Sequence, residues 1–97
     1  MNGNKEKVTS RNEIFSEREW MQIVKDLYLS PRQEEILKCL FLGDSDKQIA
    51  MDLQISIPTV RTHLSRLFLK FDVQDRMELI LYIFRKFREN SQAKMAS

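Results

Sequence analysis

Between Ile57 and Phe71, the residues Thr59, Thr62, Ser65, Arg66 and Leu69 fall on one side of a helix at about 100° per residue, with Arg61 and Lys70 on its flanks. Short hydroxyls beside long cations form hydrogen bonds to base edges and ion pairs to phosphates, as a major groove requires. None of the five face residues is acidic, whereas an ordinary solvated face more often carries Glu/Lys pairs. Other chemistry is poorly served. His63 is the one histidine and Cys39 the one cysteine, and there is no glycine-rich loop. The chain therefore shows no nucleophile–base pair, zinc ligand set or phosphate cradle. Glu34 and Glu35 are adjacent and splay by about 100° on a helix, so they form a solvated face and not a catalytic dyad. The chain is read as a non-enzyme without metal or cofactor.

A face of this kind needs a tight helix pair to present it. Ser45-Asp46-Lys47-Gln48 is a capping box that starts a short helix, Asp46–Leu53, with Ile49, Ala50 and Leu53 inward. After a turn of three or four residues, Ser56 caps a helix over Ile57–Phe71 with Pro58 in its first turn. Its buried stripe is Val60, Leu64, Leu67, Phe68 and Phe71, near the 3.6-residue period. The small Ala50 suits the close crossing of a helix-turn-helix. Before this pair, Ser16 and Glu19 form a capping box for a helix ending near Tyr28, with Trp20, Ile23, Val24 and Leu27 on one face. Ser30-Pro31 opens another, with Ile36, Leu37, Leu40 and Phe41 inward and Gly43 ending it in a left-handed conformation. A last helix runs from about Asp75 to Arg88. Residues 1–14 read as a flexible arm and residues 90–97 as a disordered tail. No strand pattern or internal repeat appears.

Composition agrees with an all-α fold. The chain of 97 residues suits one domain, here placed at 15–89, and buries only about 60–65% of its unfolded surface. Two glycines and two prolines leave few turns for a many-stranded sheet. Residues 1–28 carry five charges of each sign, residues 29–57 three basic against five acidic, and residues 58–97 eight basic against four acidic. The local nets of 0, −2 and +4 sum to the overall +2 and put any phosphate-binding surface in the C-terminal half. A single cysteine makes no internal disulfide. The polar N-terminus lacks a signal-peptide core, and no apolar run approaches the ~18 residues of a membrane span. The expected location is the cytoplasm, on the nucleoid.

Taken in order, Leu29-Ser30-Pro31-Arg32, Ile36-Leu37, Gly43, Lys47-Gln48-Ile49-Ala50, Leu53, Ile55-Ser56, Thr59-Val60-Arg61-Thr62-His63-Leu64, Lys70-Phe71, Val73 and Arg76 resemble the LuxR/GerE-type DNA-binding domain of bacterial transcription regulators. The resemblance covers about residues 29–87, preceded by the extra N-terminal helix 17–28. It implies a four-helix domain whose third helix, about 57–71, enters the major groove, and whose fourth, about 76–88, commonly forms a dimer contact. By position it implies base reading by Arg61, Thr62 and Ser65. Thr59, Lys47 and Lys70 match phosphate-facing positions, and Arg66 on the same face joins them. Ile49, Ala50, Leu53, Val60 and Leu64 match the family core, and His63 a structural histidine at its edge. Three positions depart from the pattern. Gln33 replaces the usual acid after Pro-Arg, so any ion pair that acid would make is lost or moved to Glu34 or Glu35. Gln54 replaces the glycine of the turn and must either accept a left-handed conformation, at a cost of about 1 kcal/mol, or find a different turn. Leu69 is apolar in the middle of the polar face.

The expected function is a sequence-specific double-stranded DNA-binding regulator, binding DNA as a homodimer, with RNA polymerase a candidate partner and no small-molecule ligand. In the last helix Met77, Ile80, Leu81, Phe84 and Phe87 form a core stripe, while Leu79, Tyr82 and Ile83 widen it and are assigned to the dimer interface. Trp20 and Leu27 extend the core and do not build a ligand pocket. The family's domain usually follows a receiver or sensing domain, for which this length leaves no room. Expression level, dimerisation or a partner would then set activity, unless the chain is a fragment of a larger regulator. Two rival readings are a detached promoter-recognition module like that of a sigma factor, and a helical adaptor or anti-activator that holds only protein.

Overall fold

Four serines fix where helices begin. A computed structural model of the protein describes residues 14–96. It contains α1 (Glu17–Asp26), α2 (Pro31–Phe41), α3 (Asp46–Leu53), α4 (Ile57–Phe71) and α5 (Arg76–Ala96), with no strand among the described residues. Ser16, Ser30, Ser45 and Ser56 each accept the amide of the third helical residue, at 3.1–3.2 Å. In the first three, Glu19, Gln33 and Gln48 reach back to the serine N–H at 2.8, 2.9 and 2.7 Å and close reciprocal capping boxes. Each such cap contributes about 1 kcal/mol.

The first four helices end alike. Tyr28, Gly43, Gln54 and Asp72 adopt positive φ of 54, 81, 58 and 56°. The next amide then reaches back five residues, as in Leu29 N–H to Val24, Asp44 to Cys39, Ile55 to Ala50 and Val73 to Phe68, at 2.9–3.1 Å. This Schellman closure satisfies carbonyls that would otherwise face nothing. Leu29 is buried, and Ile55 and Val73 pack against the core, so three of the four stops are fastened by an apolar residue. No neighbour crowds a side chain at Gly43, so the glycine answers to φ and not to space. Gln54 holds a left-handed conformation without that freedom, the first of the two outcomes expected for it. Gln54→Gly is expected to stabilise the fold by about 0.5–1 kcal/mol, measured as a higher urea midpoint at unchanged slope. A neutral or lower midpoint would mean that the Gln54 side chain compensates for its own strain.

The core is built from Ile36 and Leu37 of α2, Ile49 of α3, Val60 and Leu67 of α4, and Leu79 and Ile83 of α5, all fully buried. Phe15, just after the expected arm, is also buried. It precedes the Ser16 cap and meets Trp20 across the first turn, a hydrophobic staple with ring centroids 6.4 Å apart. The same ring packs on Phe41, Phe84 and Phe87 at 5.0–5.5 Å and ties α1 to α2 and α5. The Trp20 indole N–H donates to Glu34 Oε2 at 3.0 Å, so Glu34 is a buried-edge partner and not part of a solvated face. Glu35 pairs with Arg32 at 3.1 Å.

Three expectations about α5 need correction. Leu79 and Ile83 are not available to a second chain, because they are fully buried against α2 and α4. Tyr82 is half-buried and packs on Phe71 at 5.0 Å. The stripe assigned to the core is partly outside, with Met77 61% and Leu81 44% exposed. Apolar side chains surround so much of this helix that periodicity gives the width of the stripe and not its centre. Residues 90–96, expected as a disordered tail, continue the helix, and Asn90 donates to Asp26 Oδ2 of α1 at 3.2 Å. Residues 1–13 of the expected arm lie outside the described residues, and Ile14 is exposed coil. Among the described residues, no helix is long and apolar enough to cross a membrane.

Candidate nucleic-acid interface

Gln54, Ile55 and Ser56 alone separate α3 from α4. Ala50, 6% exposed, lies where the two helices approach, with Ile49, Val60 and Leu64 buried between them and the rest of the core. Since α4 spends Val60, Leu64 and Leu67 on packing, its opposite side faces solvent. Arg61, Thr62, Ser65, Arg66 and Leu69 are exposed there, and Lys47 is exposed near the start of α3. The structure thus brings the expected base-reading residues onto one surface. No residue of the exposed face of α4 is acidic.

Several of these side chains are already engaged. The Thr62 hydroxyl donates to the Pro58 carbonyl at 3.0 Å, leaving oxygen lone pairs and a methyl group for any partner. Thr59 is half-buried, and its hydroxyl meets that of Ser56 at 2.8 Å. The Lys70 ammonium donates to the Tyr28 carbonyl at 2.7 Å and to Gln33 Oε1 at 3.1 Å, and lies 5.5 Å from the Phe71 ring centre. Lys70 therefore fastens the end of α4 to the α1–α2 turn. Gln33, which departs from the family pattern, closes the α2 cap and receives this lysine. Leu69 is 82% exposed and has no place in the core.

One group was missed by sequence reasoning. Asp46 lies in the first turn of α3, and its carboxylate accepts from Arg61 Nε at 3.1 Å and from Arg76 Nη2 at 2.5 Å. The hydrogen bond from Arg76 above all holds the Asp46 carboxyl below the usual carboxylate range; burial opposes it, and the Arg61 bond and the two positive charges add lesser lowering effects. Asp46 and Arg61 stand fifteen positions apart on different helices, so no periodicity links them.

Away from this surface, Cys39, Asp44 and Asp52 bring their ligand atoms within 4.8 Å of one another. Burial first, then the charges of Asp44 and Asp52 and a hydrogen bond to Asp44, push the Cys39 thiol up to about 11. It stays protonated at neutral pH, which suits packing better than metal binding or nucleophilic attack. His63 is half-buried beside the core stripe.

Five helices, a three-residue turn and a polar outer face on the second helix of the pair define a helix-turn-helix domain. The family profile GerE, described as bacterial regulatory proteins, luxR family, matches residues 27–83. The chain belongs to this family. It is similar to a response regulator protein VraR of Staphylococcus saprophyticus, 36% identical over 84 residues, which is 84% of this chain and 40% of that protein. It is also similar to response regulator proteins VraR of Staphylococcus aureus and Staphylococcus epidermidis, each 40% identical over 57 residues, 59% of this chain and 27% of those proteins. The chain spans less than half the length of these relatives. No solved structure matches.

Proposed function

We propose that this chain is a sequence-specific double-stranded DNA-binding transcriptional regulator that inserts α4 into the major groove, acts as a homodimer and uses no cofactor. The observation that carries the reading is the acid-free exposed face of α4, with Arg61, Thr62 and Ser65 side by side on the second helix of a helix-turn-helix. Membership of a family of bacterial regulatory proteins supports it, as do relatives named response regulators. In this reading Arg61, Thr62 and Ser65 meet base edges. Thr62, its hydroxyl hydrogen already given to Pro58, accepts from an exocyclic amine or touches a thymine methyl group. Lys47, Arg66 and the helix start near Thr59 take phosphates. Lys70 contributes by seating α4, with a remaining N–H for the backbone.

The homodimer surface is reassigned to the outer side of α5, where Met77 and Leu81 are exposed beside the half-buried Ile80. The bound dimer acts on transcription in the cytoplasm by touching or obstructing RNA polymerase.

The test is selection from a random duplex pool, followed by binding measurements on selected and scrambled duplexes across a salt series. Arg61→Ala is expected to cost about 1–3 kcal/mol on the selected duplex and less on the scrambled one. Lys47→Gln should weaken both alike and reduce the salt slope by about one unit. Equal loss on both duplexes for Arg61→Ala would make Arg61 a phosphate clamp. If neither duplex is bound at low salt, the helical adaptor reading replaces this one.

A further inference from the structure

The Asp46 carboxylate joins three helices through two arginines. Asp46 begins α3, Arg61 lies in the second turn of α4, and Arg76 begins α5. The two bonds differ in what they leave free. Arg76 reaches Asp46 Oδ1 through a terminal nitrogen, whereas Arg61 reaches Oδ2 through Nε. A guanidinium offers a side edge, made by Nε–H with one terminal N–H, and an end edge made by both terminal nitrogens. With Nε taken, the end edge is what Arg61 has left to present. The Arg61 side chain is 68% exposed, against 18% for Asp46, so the acid is recessed and the cation projects. The recess is an open cleft of about 390 Å³, lined by Asp46, Arg61, Ser65, Gln74 and Arg76 among others.

We infer that Asp46 is a specificity-determining residue: it grips Arg61 at Nε, points the end edge at the paired acceptors of one base, and with Arg76 as its anchor keeps the guanidinium from turning to a phosphate. The inference rests on the reading that α4 enters the major groove. Paired acceptors suited to that edge are the O6 and N7 of guanine. An arginine already held loses less freedom on meeting its base than a free one does. The acid beside it also repels phosphates, so contacts in which Arg61 merely clamps backbone are weakened. Both effects raise the ratio of preferred to random binding. Arg76 touches no base in this arrangement. It is a positioning residue that stops the carboxylate from swinging away.

The experiment uses the full chain, as the unmodified protein and as Asp46→Asn, Arg76→Gln, Arg61→Ala and the Asp46→Asn/Arg61→Ala pair. Each is given a random duplex pool for selection. Each is then titrated by fluorescence anisotropy on the duplex selected by the unmodified protein and on a scrambled duplex of the same length. Asp46→Asn is expected to lower the preference ratio roughly tenfold, mainly by tightening the scrambled complex, and its selected sites should lose discrimination at one base position. Arg76→Gln should move both readouts the same way. In the Arg61→Ala background, Asp46→Asn should change neither. A merely structural acid would instead lower the melting temperature and both affinities together. An unchanged ratio and an unchanged selected site in folded Asp46→Asn would overturn the inference. Should that variant not fold, the same result in Arg76→Gln, which leaves the first turn of α3 intact, overturns it. Selection of no site by the unmodified protein would instead overturn the DNA-binding reading itself.

Discussion

Thr62→Glu combined with Ser65→Glu is expected to weaken duplex binding by a hundredfold or more, while the far-UV circular dichroism and the melting temperature stay close to those of the unmodified protein. Both residues are exposed on the outer side of α4, and neither belongs to the core. Glutamate is a good helix former, so α4 loses only the Thr62 bond to the Pro58 carbonyl. Against DNA the effect is large. Two carboxylates placed among phosphates at an interface cost several kcal/mol, which is about a hundredfold or more in Kd. Arg61 and Arg66 could offset this only by giving up the DNA contacts proposed for them. Anisotropy titrations at two salt concentrations would show the loss, and its shrinking at higher salt would mark it as electrostatic. Undiminished binding by a folded double variant would remove α4 from the groove and with it the function proposed here.

That the surface could be located from sequence at all follows from the locality of helix signals. A serine followed three residues later by Glu or Gln fixes a helix start with no help from the rest of the chain, and Ser16, Ser30 and Ser45 act in that way. Once Ser56 sets the phase of α4, the apolar period of Val60, Leu64 and Leu67 decides which side is free. At Gln54 the sequence offered two outcomes, a left-handed residue or a different turn, and the structure takes the first. What escaped depended on partners distant in the chain. The bridge from Asp46 to Arg61 and Arg76 forms only when three helices cross. Lys70 reaches the Tyr28 carbonyl over 42 positions, and no property of lysine announces a backbone oxygen as its target. Phe15 is the exception, since an aromatic residue before a serine cap with Trp20 at the fourth helical position is a readable staple.

The rotation of α5 was beyond sequence reasoning for a related cause, and it leads to the second large effect. Leu79→Glu with Ile83→Glu is expected to yield no folded protein. Both side chains are fully buried, and two carboxylates there would be enclosed without partners. Even Ile83→Ala should cost about 2–5 kcal/mol, a large share of the roughly 5–15 kcal/mol available to a domain of this size. Met77→Glu with Leu81→Glu is the opposite case. Those side chains are exposed, so the variant should fold and melt within a few degrees of the unmodified protein. If the outer side of α5 is the dimer surface, four carboxylates then face one another across a two-fold axis, since each copy brings two. The unmodified protein should sediment as a dimer at high concentration or on a duplex carrying both half-sites, and this variant as a monomer that binds such a duplex more weakly. Its binding to a single half-site should be unchanged. A dimer that survives both charges would place the contact elsewhere. Loss of folding on the outer pair with tolerance of the inner pair would reverse the orientation of α5 described here.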